Sequence, residues 1–142
     1  MNNQTKRIAS RGGRFDFYTY LVPGTLAFAP GNVTANLPIQ ADSNFILSKI
    51  TYAADIAAAV QTDSTRVIPL IRFQISEVGT SLFSDFIPVP ALAGDGRLPY
   101  ILPVARQFAA NSSITVQLTN YSAGTTYNLY LALHGWKEYL RA

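Results

Sequence analysis

The stretch that decides the fold lies near the C-terminus, where residues 113–120 read Ser-Ile-Thr-Val-Gln-Leu-Thr-Asn and residues 126–134 read Thr-Tyr-Asn-Leu-Tyr-Leu-Ala-Leu-His. Both stretches alternate apolar residues with polar or small ones, which is the period of a half-buried β-strand. Residues 121–124, Tyr-Ser-Ala-Gly, are typical of a turn. We therefore expect a β-hairpin with one shared apolar face, made by Ile114, Val116, Leu118, Tyr127, Leu129, Leu131 and Leu133.

The same period of two continues toward the N-terminus. It predicts strands over residues 15–22, 33–40, 45–52, 66–75 and 82–86. Pro38 and Pro69 indicate sheet edges or a bulge, because proline cannot donate to a β-ladder. The alanine-rich segment 53–60 is interpreted as a short helix or as a loop beside the sheet. Residues 87–103 hold four prolines and two glycines and predict a long ordered loop.

Seven or eight strands with one long loop predict an all-β fold, a single-domain β-sandwich of jelly-roll or immunoglobulin-like type with an extended basic N-terminal arm. A length of 142 residues fits one domain. The expected division is a basic arm over residues 1–14 and a β-sandwich domain over residues 15–142.

Positive charge is concentrated in the first 14 residues, which hold Lys6, Arg7, Arg11 and Arg14 and no acidic residue. The rest of the chain has seven Lys and Arg against eight Asp and Glu. An arm this polar cannot bury enough apolar surface to fold alone, and its charge favours an acidic partner. We expect it to lie on carboxylates of a neighbouring subunit. Contact with nucleic acid and a merely solubilising tail are the alternatives.

The body is poor in charge, since only 13% of all residues are Asp, Glu, Lys or Arg. Residues 17–41 and 107–136 hold none, yet both runs are too polar to span a membrane, so no membrane partner is expected. Few surface charges favour contact between subunits and therefore self-association. The candidate interface aromatics are Tyr18, Tyr20, Tyr130, Trp136 and Tyr139.

Residues with chemistry are sparse in this sequence. One histidine, His134, and no cysteine cannot supply the usual metal-ligand sets. The eight carboxylates are scattered, mostly at predicted turns, where Asp caps backbone donors. We expect no catalytic residue, no cofactor and no metal, and a His134 side chain that faces solvent or an interface. The start shows no apolar run typical of a signal peptide, which favours a cytoplasmic site of synthesis.

Three runs carry a resemblance to a known class of proteins. They are FIPVPALAGDGRLPYILPVARQFAANSSITVQLTN (86–120), TYNLYLALHGWKEY (126–139) and LPIQADSNFILSKITYAA (37–54). Their proline-punctuated loop, Ala-Asn-Ser turn and closing hairpin, which ends in His-Gly-Trp-Lys, resemble small structural proteins of tailed bacteriophages. The resemblance implies a β-sandwich component of the virion, such as a capsid decoration (cement) or head accessory protein. It also implies assembly in the host cytoplasm on the major capsid protein or other virion proteins.

Two other function classes fit some of the same residues. Tyr and Trp side chains on a β-sandwich can stack against sugars, so a carbohydrate-binding or receptor-recognition module is the main alternative. An enzyme that uses His134 with a distant Asp is the third hypothesis.

Overall fold

The computed structural model describes residues 14–57 and 66–140. Within these ranges the chain forms nine strands and one short helix, in the order β1 (Phe15–Leu21), β2 (Gly31–Pro38), β3 (Ser43–Ile56), β4 (Ile71–Glu77), β5 (Thr80–Ser81), β6 (Ile87–Pro88), α1 (Val89–Leu92), β7 (Tyr100–Phe108), β8 (Ser113–Asn120) and β9 (Tyr127–Tyr139). The predicted all-β fold is therefore confirmed. The first strand begins at Phe15, and residues 1–13 of the predicted arm lie outside the described ranges.

The strands form two antiparallel sheets. Sheet I has the order β1-β9-β3-β7, and sheet II has the order β2-β8-β4-β5, with β6 also paired to β4. Pro38 ends β2 at an edge of sheet II, as the sequence predicts. No helix in the described part of the chain is long and apolar enough to cross a bilayer.

Strand order decides between the two sandwich types that the sequence leaves open. The chain moves from sheet I to sheet II after β1, back after β2, and again after β3, so successive long strands lie in opposite sheets. The same alternation holds for β7, β8 and β9. An immunoglobulin-like fold would keep several consecutive strands paired in one sheet, whereas two interlocked Greek keys give the order seen here. The architecture is a jelly roll.

The predicted C-terminal hairpin is wrong. β8 pairs with β2 and β4 in sheet II, while β9 pairs with β1 and β3 in sheet I. The alternation correctly identifies the two strands and their apolar faces, but these faces meet across the core instead of lying side by side. The apolar pattern of a strand reports which face is buried, and it carries no information on which strand supplies the hydrogen bonds.

Three local predictions also need correction. Residues 53–56 form the end of β3 and pair with residues 127–130 of β9. This part of the alanine-rich segment is therefore neither helix nor loop. Residues 82–86 are not a strand; they connect the short strands β5 and β6. The predicted loop 87–103 contains β6, α1 and the first residues of β7. In the first case the long partner strand β9 overrides a weak local preference.

The core lies between the inner faces of the sheets. Sheet I contributes buried side chains that include Tyr20, Phe45, Leu47, Leu131 and Leu133, and sheet II contributes Phe73, Ile75, Ile114, Val116 and Leu118. The rings of Tyr20 and Phe45 meet edge to face with centroids 4.8 Å apart. Such packing adds to the burial energy and fixes β1 against β3.

Candidate interaction surface

The outer faces of the two sheets differ in chemistry. On sheet II the outward side chains are polar and almost all uncharged, namely Asn32, Thr34, Asn36, Arg72, Gln74, Ser76, Thr115, Gln117 and Thr119. Several bond to each other across strands, as in the Thr119 Oγ1 to Asn32 Oδ1 hydrogen bond of 2.8 Å. This is the ordinary arrangement of an antiparallel sandwich, with a polar face in water.

Sheet I presents apolar and aromatic side chains on its outer face. One row across the sheet is Phe17, Trp136 and Ile46, which occupy facing positions of β1, β9 and β3. Phe17 is 77% exposed, while Ile46, in the middle of the sheet, is 8% exposed. Further rows add Leu21, Ala132, Tyr130, Ala53 and Ile101. Contiguous apolar surface of this kind marks interaction sites on soluble proteins.

Charge on this face is limited to a few side chains, one of which is Glu138 of β9, at the end of the sheet. Lys49 and Asp55 are the ionisable side chains that β3 places outward, and Asp55 is buried and accepts a hydrogen bond from Asn128. Charged side chains are depleted from the centres of protein interfaces, because each must be desolvated on binding. The outer face of sheet I, defined by Phe17, Leu21, Ile46, Ile101, Tyr130, Ala132, His134 and Trp136, is therefore the candidate interaction surface.

His134 lies at the centre of this surface and is hydrogen-bonded through both ring nitrogens. Nδ1 is 2.9 Å from Thr19 Oγ1 on β1, and Nε2 is 2.7 Å from Thr51 Oγ1 on β3. Burial holds the pKa of His134 below its ordinary value, and the nearby Lys49 ammonium adds to this effect. The imidazole thus ties three adjacent strands together as a neutral group. The predicted outward orientation is confirmed.

The predicted interface aromatics are divided between the two faces of sheet I. Tyr130 and Trp136 lie on the outer face, whereas Tyr18, Tyr20 and Tyr139 lie on the side of the sheet that faces the core. Tyr20 is buried in the core itself. The indole Nε1 of Trp136 is covered and has no hydrogen-bond partner among the described residues, so it is not presented to solvent.

A cluster of cations and aromatic rings lies at the end of the sandwich, where β1 begins and β9 ends. Lys137 is 5% exposed, and its Nζ lies 4.0 Å from the ring centroid of Tyr18 and donates to Gln40 Oε1. Asp42 Oδ1 lies 3.9 Å from Lys137 Nζ. Arg14, the one predicted arm residue within the described ranges, places its guanidinium 4.2 Å from the Tyr139 ring centroid. These contacts fix the point where the arm joins the sandwich.

The two remaining features are a cleft and the ionisable groups. The cleft, of about 340 Å³, opens between β7 and residues 82–92, and its lining includes Leu47, Ile50, Leu82, Phe83, Leu102 and Val104. Within residues 14–57 and 66–140, no group of three His, Asp or Glu side chains could hold a metal ion. Asp95, at a turn, accepts backbone N–H bonds from Leu98 and Arg97, and these bonds lower the pKa of its carboxyl group.

Leu21, Ile46, Ile101 and Ala132 of the candidate surface were not predicted as interface residues. Phe17, Leu21, Ile46 and Ala132 become neighbours only because β9 lies between β1 and β3. The signal available in the sequence was the period of two in residues 15–22, which places Phe17 and Leu21 on the face opposite Tyr18 and Tyr20. Lys137 was missed although it follows Leu131, Leu133 and Gly135 at the same spacing.

No protein-family model matches the chain, and no curated protein sequence matches it significantly. Among solved structures, it is similar to the crystal structure of the infectious bursal disease virus VP2 subviral particle, with 14% sequence identity and a TM-score of 0.39. That similarity covers 89% of this chain and 33% of the VP2 chain, so this chain spans about a third of the length of that protein.

Proposed function

We propose that this chain is a non-enzymatic structural protein of a virus particle, a capsid decoration (cement) or head accessory protein of a tailed bacteriophage. It binds the capsid shell and neighbouring copies through the outer face of sheet I. The observation that carries the proposal is the contrast between the outer faces, because that of sheet II is polar, whereas that of sheet I carries exposed apolar and aromatic side chains among its polar ones.

A protein that stays attached to a shell needs one face that is permanently covered and one face that stays in water. Phe17 and Leu21 are 77% and 55% exposed. Covering them with a partner would stabilise the complex by about 25 cal/mol for each Å² of apolar area removed from water. The polar side chains of sheet II keep the other face soluble. The scarcity of charge on sheet I lowers the cost of desolvation, which favours lasting contact over transient contact.

The basic arm adds a second attachment in this proposal. Lys6, Arg7, Arg11 and Arg14 would reach carboxylates of a neighbouring virion protein, with Arg side chains able to make bidentate contacts. The cluster of Arg14 with Tyr139 supports this role, because it anchors the base of the arm to β9. Nucleic acid is the other acidic partner that the arm fits.

The experiment is to quantify this protein in purified virions from its source by mass spectrometry, before and after removal of loosely bound protein. Many copies that stay on the particle support the proposal. Absence of the chain from virions would reject it.

A glycan array with the isolated chain tests the rival carbohydrate-binding hypothesis. Specific binding that is lost in Trp136→Ala would favour that hypothesis over a structural role. No glycan binding together with retention on virions would support the structural proposal.

A further inference from the structure

The edges of the two sheets differ in how they are protected against pairing with another chain. Sheet II ends at β2, which contains Pro38, and at the two-residue strands β5 and β6. Sheet I ends at β7, which contains Pro103, and at β1. Prolines and very short edge strands both prevent further pairing. β1 has neither protection, since its seven residues read FDFYTYL.

The backbone of β1 offers an alternating set of donors and acceptors at this edge. Val22 N donates to Leu131 O at 2.9 Å, and Tyr139 N donates to Arg14 O at 3.0 Å. Alternate residues of an antiparallel strand bond to the same neighbour, so the even-numbered residues between these points bond to β9. The odd-numbered residues, Phe15, Phe17, Thr19 and Leu21, direct N–H and C=O groups away from β9. Within the described chain, β9 is the strand that pairs with β1.

We propose that β1 pairs antiparallel with β1 of a second copy of this chain, about a two-fold axis at Tyr18. In this register Phe15 faces Leu21 of the second copy, and Phe17 faces its Thr19. The four residues whose backbone groups point away from β9 then lie opposite one another in the two copies. Each of their free N–H and C=O groups gains a hydrogen-bond partner. A two-fold interface requires a strand that complements itself, and β1 does so over its full length.

The side chains fit the same register. Phe15 and Phe17 on the outer face become direct neighbours of Leu21 and Thr19 of the second copy, and Phe17 is also diagonal to the second Leu21. The one charge in the strand, Asp16, lies opposite Tyr20 of the second copy. The two Asp16 residues are then four positions apart, roughly 13 Å, so they do not repel each other strongly.

The inference rests on the proposed function and deepens it, since it names the second copy and the strand that binds it. Pairing would join two four-stranded sheets into one continuous sheet. The apolar outer faces would then form one surface of twice the area, directed to the same side and available to the capsid shell.

Single cysteine variants test the register directly, because the chain contains no cysteine. Phe15→Cys and Leu21→Cys would lie about 5.5 Å apart between their Cα atoms in the paired dimer, within disulfide range. A mixture of the two variants should therefore give a disulfide-linked heterodimer under mild oxidation. Each variant alone should not link, because identical positions are six residues out of register, roughly 20 Å apart.

Sedimentation of the full-length chain provides the second measurement. Phe17→Lys places a charge on the edge strand and should raise the dimer dissociation constant about tenfold or more. Leu98→Lys, at a position that is 79% exposed and lies outside the candidate interaction surface, should leave it unchanged. No linked heterodimer from the mixture, linking by each single variant, or equal effects of the two lysine substitutions would overturn the pairing.

These outcomes are separable from those of the proposed function. A monomeric chain that is retained on virions would reject the β1 pairing and leave the structural role standing. A β1-linked dimer that is absent from virions would reject the structural role and support the pairing.

Discussion

Phe17 and Trp136 occupy facing positions in the register between β1 and β9, and both lie on the outer face of sheet I. Ile46 faces Trp136 from the other side, so one apolar row crosses three strands. The row faces away from the core and adds nothing to the contact between the two sheets. In the proposed function this row contacts another molecule, and several measurements can test this.

Tyr130→Asp tests the candidate surface at an exposed position. The substitution puts a charge on the outer face of sheet I, so we expect association to weaken about tenfold or more, while the thermal stability of the fold changes little. Gln117→Asp introduces the same charge on the polar face of sheet II and is the matched control. Light scattering over a concentration series measures both variants. Equal weakening by the two would mean that net charge, and not the surface, governs association.

Removal of residues 1–13 tests the arm. The described sandwich begins at Arg14, so we expect the shortened chain to keep its far-ultraviolet circular dichroism spectrum and its melting temperature. Retention on virions should be lost, since three of the four cations of the arm are removed. Replacing Lys6, Arg7 and Arg11 by Gln separates charge from length. Full retention of either variant would contradict the role proposed for the arm.

His134 gives the protein a pH-dependent stability. Burial and Lys49 hold its pKa below the ordinary value of 6.5, so the unfolded chain binds the proton more readily than the folded chain. Stability should therefore be constant above about pH 6.5 and should fall as the pH drops from there toward the folded-state pKa. Urea unfolding between pH 5 and pH 8 measures it.

Two variants check the cause of this pH dependence. His134→Gln should remove its share of the slope, and Lys49→Ala should reduce the slope because one of the two causes is gone. A slope unchanged in both variants would assign the pH dependence to other groups.

Lys137 should stabilise the end of the sandwich. Lys137→Ala removes the contact with the Tyr18 ring and the hydrogen bond to Gln40, and we expect a loss of about 1–3 kcal/mol in the free energy of unfolding. Lys137→Met keeps the packing of the stem, so a smaller loss is expected. Chemical denaturation measures both variants. Equal losses would show that the stem contributes nothing, and no loss in Lys137→Met would show that the ammonium group contributes nothing.

Gly135 is required by the close approach of β3. A Cβ atom at this position would lie 1.8 Å from the carbonyl oxygen of Ile46, beside the irregular pairing between Leu47 and Lys49. Gly135→Ala should therefore cost at least about 1–3 kcal/mol, because backbone has to move. Gly124→Ala, where a Cβ meets nothing within 4 Å, is the control and should be nearly neutral. A stable Gly135→Ala variant would contradict this account of the bulge.

The sequence by itself determined the long strands other than β7, and the faces that these strands bury. The alternation in Ser113–Asn120 and Tyr127–Tyr139 places Ile114, Val116, Leu129 and Leu131 inward, as the structure has them. This works because the side-chain period of a strand is local and depends only on the order of residues along the chain. The polarity of the outer face of sheet II and the edge at Pro38 follow from the same local rules.

Tertiary structure alone decided which strands are neighbours. β8 and β9 are consecutive in sequence and yet lie in different sheets, and β9 separates β1 from β3 although both are distant along the chain. Hydrogen bonds in a sheet come from the backbone, which is the same at every residue, so the sequence gives little signal for pairing. The candidate surface and the His134 site are built from three such strands. They exist only after the whole chain has folded.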